Sequence, residues 1–367
     1  MEQTNILKNA IGKLDKLKEK KHILSGFDGF VDEIIHVVDK RKNHGQYDRI
    51  PDITAFSERI ASVAGLSANI ELVPVQTKLG GNGPIMANAI LAQEHDVTYI
   101  GAIGKHYIHP VFRPFAEKCR RVISLTEPGH TDALEFFDGK IMLGKMNNLM
   151  EVNMENLLKK INEQELSQLL ADVQLVAFTN WTMLSNLNGI IGRFGQLMKP
   201  LKKRPDVFID LADPKKRTQE DISEVLDLIS ALPTNTILSM NMSESTIIAS
   251  VLGIEEEDLV ERANQIRAKM GISSIVIHPV KGAAISHEKE SLWIEGPYTK
   301  TPVLTTGAGD NFNAGFCNAW LGGFDPGECL MLGVCTSGYY VRNAGSPSVD
   351  ELAGFMNDWL MAGCGSI

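Results

Sequence analysis

Short runs of apolar, mostly β-branched residues alternate along the chain with longer stretches whose apolar residues recur at helical spacing. The runs cover residues 22–27, 97–103, 173–179, 206–212, 235–240 and 273–278. Such runs are typical of central strands in a parallel sheet that is covered on both faces. The periodic stretches predict helices near 83–95, 110–121, 152–170, 184–200, 217–231, 255–270 and 310–321. This alternation predicts a doubly wound α/β sandwich.

Two stretches interrupt the alternation and predict a second, smaller β structure. Residues 36–82 are long and polar, and residues 131–147 contain Asp138-Gly139, a dipeptide typical of a hairpin turn. No linker rich in Pro, Gly or Ser divides the chain, so residues 1–367 are expected to form one domain. Within it we expect lid segments over one end of the main sheet, at about residues 36–50, 70–79 and 131–147.

Composition narrows the classes of partner. The formal net charge of the 367 residues is −9, so neither nucleic acid nor an anionic membrane is expected as the main partner. The five cysteines are far apart and form no C-x-x-C pair, which favours free thiols in a reducing compartment. The N-terminal stretch contains no apolar run long enough for a signal peptide or a membrane span. A cytoplasmic location is therefore expected.

The candidate chemistry centres on TTGAGDNFNAGF, residues 305–316. Gly307, Ala308 and Gly309 have almost no side chain, and the carboxylate of Asp310 follows at the predicted start of a helix. Free N–H groups at a helix N-terminus can hold an anion such as phosphate. A carboxylate beside that phosphate can accept a proton from an attacking hydroxyl. The alternative is that Asp310 is an ordinary N-cap.

Two early segments carry further candidates for ligand contact. Gly80, Gly81 and Asn82 precede a helix, where a ligand can approach the backbone closely, although tight helix packing explains the glycines equally well. Asp28 and Asp32 follow the first predicted strand, and the carboxyl ends of strands are where open α/β sheets bind ligands. For these acids the alternative is a role in a turn or a helix cap.

Two later segments complete the set. Asn241 and Glu244 are three residues apart just after a predicted strand and are suited to a hydrated Mg²⁺, or to a helix cap with an acid in the first turn. Residues 278–286 form a loop and strand of the kind that can line an adenine site.

Taken together, these motifs resemble the ribokinase-like (PfkB) carbohydrate kinase family. Its signature D-T-x-G-A-G-D is similar to residues 304–310, its N-x-x-E motif to residues 241–244, and its glycine motif to the stretch around residues 80–82. Residues 99–117 are similar to another segment of the family. The resemblance covers roughly residues 22–348, with the motifs in the family's order.

The resemblance implies a three-layer α/β/α sandwich with a mostly parallel central sheet and a small β lid. It also implies transfer of the γ-phosphoryl group of ATP to a sugar hydroxyl, with Mg²⁺. Asp310 would be the base, and the backbone of Gly307, Ala308 and Gly309 the anion hole. The implied acceptor residues are Asp32, Gly80, Gly81 and Asn82, with Asp28 in reserve. The implied nucleotide residues are Thr306, Asn241, Glu244 and Gly282, and Asn241 and Glu244 would hold Mg²⁺ through water.

Departures from the family pattern leave alternatives open. Leu304 replaces an Asp that helps to hold a monovalent cation, so the resemblance gives no support to K⁺ dependence. In the adenine-side segment only Gly282 is retained, which leaves room for a donor other than ATP. A nucleoside kinase of the same fold and a non-catalytic regulator that binds sugar or nucleotide are the alternatives, followed by a vitamin-type kinase. The family also suggests a homodimer formed through the lid.

Overall fold

The computed structural model describes residues 2–365. Its fourteen strands in this range are β1 His22–Phe27, β2 Phe30–Arg41, β3 Tyr47–Arg49, β4 Leu72–Gly80, β5 Asp96–Gly101, β6 Arg121–Ser124, β7 Gly129–Glu135, β8 Lys140–Lys145, β9 Leu175–Thr179, β10 Asp206–Asp210, β11 Thr236–Met240, β12 Ser274–Ile277, β13 Gly282–His287 and β14 Ser291–Glu295. The α-helices of the same range are α1 Glu2–Gly12, α2 Ile53–Ala61, α3 Asn82–Ala92, α4 Arg113–Ala116, α5 Met154–Lys160, α6 Glu163–Asp172, α7 Leu187–Met198, α8 Gln219–Ser230, α9 Met242–Val251, α10 Leu259–Met270, α11 Ala308–Leu321, α12 Pro326–Asn343 and α13 Val349–Met361.

The main sheet has nine strands in the order β14-β13-β12-β11-β10-β9-β1-β5-β6. The strands from β12 to β6 are parallel, whereas β13 and β14 are added antiparallel at one edge. All six predicted central strands are present, and their residues are buried because helices cover both faces of the sheet.

Successive residues of each central strand supply two separate cores. In β1, Ile23 packs into the core formed with α1, α3, α11, α12 and α13. Its neighbour Leu24 packs into the core formed with α5 to α10 on the other face. This alternation is what the period of two along a strand requires when both faces are covered. The predicted three-layer α/β/α sandwich is confirmed.

A second sheet lies outside the main one. In it β2 pairs with β3, β4 and β7, and β7 pairs with β8. Helix α2 covers part of this sheet, where Phe56 packs with Ile35, Leu134 and Phe136 in a small core of their own. Asp32 lies opposite Lys78 of β4 and Thr131 of β7, so three strands meet at this carboxylate.

Three predicted elements differ from the structure. The helix predicted over 110–121 is a short 3-10 turn followed by α4, and it ends at Ala116 because the chain then enters strand β6. The helix predicted over 152–170 is two helices, because Asn162 starts α6 with a capping box shared with Glu165. Asp32 was expected at the end of a central strand, but the chain leaves β1 after Phe27 and Asp32 lies inside β2.

Helix α1 closes the antiparallel edge of the main sheet. The side-chain amide of Gln3 donates to the carbonyl of Glu295 at 3.1 Å and accepts from the N–H of the same residue at 3.0 Å. It therefore satisfies both backbone groups of one residue on β14. Lys13, just beyond α1, forms an ion pair with the buried Glu328 of α12 at 2.7 Å. All five cysteines are free. Across residues 2–365, no helix is both long and apolar enough to cross a membrane.

Candidate active site

Polar side chains gather where the parallel strands of the main sheet end. Asp28 follows β1, Asn180 follows β9, Asp210 ends β10, Asn241 follows β11 and His278 follows β12. The carboxyl ends of parallel strands share one edge, which is where open α/β sheets bind ligands. The N-terminus of α11 lies at the same edge, because Asn313 in its second turn donates to Asp210 at 2.6 Å.

Helix α11 begins with a backbone arrangement that only glycine adopts easily. Gly307 is the N-cap with φ +90°, and no side chain caps the helix. Ala308 donates its N–H to the carbonyl of Thr305 at 3.1 Å within the loop, so this group is already bonded. Asp310 is the third residue of the helix, not its N-cap, and its side chain is buried. The N-cap alternative for Asp310 is therefore wrong.

The carboxylate of Asp310 is oriented by a residue at the start of α3. The side-chain amide of Asn82 donates to Oδ1 of Asp310 at 3.0 Å, which joins the start of α3 to the start of α11. Burial raises the pKa of Asp310 well above its usual value, and the charge of Asp210 raises this pKa further. Asp28 and Glu244 add to the same effect. These effects all favour the protonated form of Asp310.

Asp28 and Asp32 have different positions relative to the residues around Gly80. Asp28 is fully buried and bonds the backbone at Asn82 and Gly83. Asp32 lies at the wall of a cavity of about 360 Å³ that Lys78 and Thr306 also line. A Cβ atom at Gly80 would overlap the carboxylate of Asp32, so this glycine makes room for it. Burial raises the pKa of Asp32, against the opposing effects of Thr131 and Lys78.

Asn241 and Glu244 form a capping box at the start of α9. The N–H of Glu244 donates to the side chain of Asn241 at 3.0 Å, and the N–H of Asn241 donates to Glu244 at 2.8 Å. The cap expected as the alternative is therefore present. Burial raises the pKa of Glu244 to about 8, with help from the charges of Asp210 and Asp213. A bound divalent cation would offset the negative charge of these clustered carboxylates, and carboxylate oxygens suit Mg²⁺.

A mostly apolar cavity of about 320 Å³ opens beside the N-terminus of α11, and we call it the α11 cavity. Its polar end contains Asn241 and Gly309, and its walls include His278, which stacks on Phe312 with ring centroids 4.6 Å apart. Gly282 lines it as well. Thr306, expected beside the nucleotide, instead lines the cavity that contains Asp32.

Several residues of the site were not singled out from the sequence. Asn180 directly follows the predicted apolar run 173–179, and Asp210 lies two residues before the end of the run 206–212, so the position of strand ends was a usable signal. His278 ends the run 273–278 and was included only as the first residue of the stretch 278–286. Tyr340 gave no such signal. It lies on α12, and its hydroxyl donates to the carbonyl of Thr306 at 2.8 Å, which anchors the loop before α11.

The chain is similar in sequence and in fold to known sugar kinases. The chain matches the family model of prokaryotic ketohexokinase over residues 3–359. It is 29% identical over 346 residues to a ketohexokinase of Haloferax volcanii, covering 92% of this chain and 91% of that protein. A probable sugar kinase from Rhizobium etli superposes with a TM-score of 0.67 at 17% identity, covering 94% of this chain and 99% of the other. Ribokinase of Arabidopsis thaliana, complexed with ribose and ATP, gives 0.62 at 18% identity, covering 92% and 98%.

Proposed function

The chain belongs to the prokaryotic ketohexokinase family, and on that premise we propose that it transfers the γ-phosphoryl group of ATP to a hydroxyl of a ketohexose. One observation carries the proposal for the site. The buried carboxylate of Asp310 lies at the N-terminus of α11, where Asn82 donates to it and where the neighbouring Gly309 lines the α11 cavity. This arrangement supports a role for Asp310 as the base and for the helix end as the anion-binding group.

Asp310 acts as the base in this proposal. Its carboxylate accepts the proton of the acceptor hydroxyl as the hydroxyl oxygen forms a bond to the γ-phosphorus. The bond between the γ-phosphorus and the β–γ bridging oxygen breaks, and ADP leaves. At the N-terminus of α11, the backbone N–H groups of Gly307 and Gly309 stabilise the negative charge on the transferring group. The N–H of Ala308, implied as a third donor, is bonded to Thr305 and would first have to leave that carbonyl.

The nucleotide side uses the cavity beside α11. Its apolar walls suit a purine base, and its polar end at Asn241 and Gly309 suits phosphate. Gly282 lines the cavity from the start of β13. A bound Mg²⁺ would neutralise phosphate charge, and Asn241 and Glu244 are the residues that would hold it through water. The similar ribokinase bound to ATP supports this choice of donor.

The acceptor side lies between the two sheets. Asp32 offers a carboxylate for sugar hydroxyls, and Gly80, Gly81 and Asn82 bring backbone close to the same region. We infer that the second sheet acts as a lid, built from segments 36–50, 70–79 and 131–147, which excludes water as a competing acceptor. The whole chain then works as one kinase domain.

The second sheet also supports a proposal on assembly. Its strands β4 and β8 carry exposed apolar side chains, which are Leu72, Val75, Met142 and Leu143. Apolar groups concentrated on one exposed sheet favour contact with another protein surface. We propose that a second copy of this chain covers them in a homodimer.

The first test of the function measures nucleotide consumption with Mg²⁺. ATP or ADP is offered with fructose, tagatose, glucose, ribose, a sugar phosphate and adenosine, using wild type, Asp310→Asn and Asp258→Asn. Asp258 is a true N-cap, on α10 away from the site. We expect turnover with a ketohexose and ATP, a kcat at least about 100-fold lower in Asp310→Asn, and no change in Asp258→Asn.

Other outcomes identify the alternatives. Preference for adenosine would favour a nucleoside kinase, and near-normal turnover in Asp310→Asn would refute the assignment of the base. No turnover with any acceptor, together with calorimetric binding of sugar or nucleotide, would favour a non-catalytic regulator.

A further inference from the structure

We propose that Asp28 is a positioning residue that holds Asn82, and through Asn82 the base Asp310, in place for phosphoryl transfer. The inference rests on the function proposed above and extends it to a group that contacts neither substrate. The observations that carry it are the burial of Asp28, the donors that converge on its carboxylate, and the bond from Asn82 to Asp310.

The carboxylate of Asp28 is enclosed by donors from two other parts of the chain. Its Oδ2 accepts from the N–H of Asn82 at 3.0 Å and from the side-chain amide of Asn180 at 2.6 Å. Its Oδ1 accepts from the N–H of Gly83 at 2.8 Å. The residue is 0% exposed, so the folded protein leaves no path for a sugar hydroxyl to reach it. Asp28 is therefore bonded to protein groups and not placed to bind the acceptor.

The carboxylate of Asp28 caps the N-terminus of α3, because the helix has no capping side chain at its own N-cap position. Gly81 is the N-cap of α3, has φ +99°, and provides no side chain for the free N–H groups of the first turn. Asp28 accepts from two of those groups, at the first and second residues of the helix. A carboxylate at the positive end of a helix is favourable, and here it fixes where the helix starts.

The glycines around Asn82 are fitted to this carboxylate. A Cβ atom at Gly81 would lie 2.9 Å from Oδ2 of Asp28, and one at Gly83 would lie 2.7 Å from Oδ1. Larger residues would therefore push the turn away from Asp28. The main chain of Asp28 is held too, because the hydroxyl of the buried Tyr99 donates to its carbonyl at 2.7 Å. The turn and the carboxylate thus fix each other.

The link to the base is the side chain of Asn82. Its backbone N–H is bonded to Asp28, and its amide donates to Oδ1 of Asp310 at 3.0 Å. A shift of the backbone at residue 82 therefore moves the group that orients the base. Misplacement by about 1 Å can lower a rate about 100-fold without any loss of the reacting groups.

Asp28→Asn is the central variant, because an amide of the same shape cannot accept from all three donors. We expect kcat at saturating substrates to fall at least about tenfold, with the KM for ATP within about twofold of wild type. Asp206→Asn is the matched control. Asp206 is another largely buried carboxylate of the main sheet, bonded to Trp320 and Asn235 away from the site. It should change thermal stability and leave kcat unchanged.

A double-mutant cycle separates positioning from general weakening of the fold. If Asp28 acts through Asn82, then Asp28→Asn should lower kcat by less than about threefold when Asn82→Ala is already present. If the losses of kcat caused by Asp28→Asn and Asn82→Ala multiply fully in the double variant, the proposal is overturned. A kcat of Asp28→Asn equal to that of wild type would also overturn it. If Asp28→Asn does not fold, Gly83→Ala serves instead, since its new methyl group displaces the same turn, and the same loss is expected.

A crystal structure of Asp28→Asn provides a readout that needs no activity. We expect the distance from Nδ2 of Asn82 to Oδ1 of Asp310 to exceed hydrogen-bond range. If this distance stays near 3.0 Å, Asp28 does not position Asn82, whatever the kinetics. If wild type transfers no phosphoryl group to any acceptor, the proposed function fails. The distance from Asn82 to Asp310 in the Asp28→Asn structure still tests whether Asp28 positions Asn82.

Discussion

The acidic residues of the site are close enough to change one another's protonation. Asp310, Glu244 and Asp28 all have raised pKa values, in each case chiefly because burial disfavours the charged form. For Asp28 the pKa is about 6, because hydrogen bonds from Asn180, Gly83 and Asn82 offset part of the burial. The proposed base, Asp310, therefore lies in a setting that favours its protonation, and bound cations would reverse this.

The raised pKa of Glu244 predicts that the stability of the protein depends on pH. Its folded pKa of about 8 exceeds the usual value of 4.5, so the folded protein retains a proton that the unfolded chain has lost. The free energy of unfolding should therefore fall as pH rises from about 4.5 through 8. Urea titrations in EDTA between pH 5 and 9 should show a smaller fall for Glu244→Gln. An equal fall in both proteins would contradict the assignment.

Glu244→Gln should also raise the Mg²⁺ concentration needed for half-maximal turnover, by roughly tenfold, because one carboxylate oxygen is lost. The measurement is a Mg²⁺ titration at saturating ATP and ketohexose. Glu165→Gln is the matched control, since Glu165 occupies the same place in the capping box of α6 at an exposed position. A Mg²⁺ titration of Glu244→Gln that overlays wild type would count against a metal role.

At the residue scale, sequence reasoning identified Asp28, Asp32, Glu244 and Asp310, but it identified neither Asp210 nor the partners of these acids. The spacing of Asp310 after three small residues is local and can be seen directly in the sequence. The bond from Asn82 to Asp310 joins residues 228 positions apart, and spacing says nothing about it. The different environments of Asp28 and Asp32 could not be predicted from the sequence for another reason. Only two residues separate β1 from β2, and no pattern showed that the chain changes sheets there.

Among the elements, the loop before α11 depends on α12 for its shape. The hydroxyl of Tyr340 bonds the carbonyl of Thr306, and the amide of Asn311 bonds the carbonyl of Gly307 at 2.9 Å. These bonds fix two carbonyls of the loop just before the N-terminus of α11. The N-terminal end of α11 is thus held by residues of α11 and α12, which suits the proposed binding of an anion there without rearrangement.

Tyr340→Phe should loosen this loop while keeping the ring. We expect the KM for ATP to rise about fivefold, and the free energy of unfolding to fall by about 1 kcal/mol for one lost hydrogen bond. Tyr339→Phe is the control, because the hydroxyl of Tyr339 bonds Glu351 in an exposed setting. Equal effects of the two variants on the KM for ATP would show that Tyr340 has no particular role in the loop.

Elements were predictable from the sequence where burial leaves a regular pattern. The central strands were predicted because both faces are apolar, and hairpins such as β7 and β8 because of their turn residues. Helix α2 was missed since only Phe56 is buried in it. Strand β6 was not predicted because it is only four residues long and lies at the edge of the sheet, where the apolar pattern is weak.

On the scale of the whole molecule, the second sheet has residues at the candidate site and residues exposed to solvent. Asp32 is directed to the cavity shared with Thr306, while Val75 and Leu143 are exposed on strands β4 and β8. A dimer formed through this sheet would fix the lid of each subunit against the other. Association and acceptor binding would then be coupled.

Substitution of Val75→Glu together with Leu143→Glu should separate the dimer. Placing two charges in a buried contact costs several kcal/mol, so sedimentation should show monomers where wild type shows dimers. Met361→Glu, at an exposed apolar residue of α13, should leave the association state unchanged. Wild type sedimenting as a monomer at all concentrations would end this proposal.

The contact between α1 and the edge of the main sheet sets an order of events during synthesis. Gln3 is translated well before its partner Glu295, which emerges 292 residues later, and Glu328 emerges later still. At about 5–20 residues per second, the apolar face of α1, with Leu7, waits at least about 15–60 s for the helices that bury it. Helix α1 therefore cannot finish packing until those later helices have been made. It is synthesised before them, but it reaches its final position only after them.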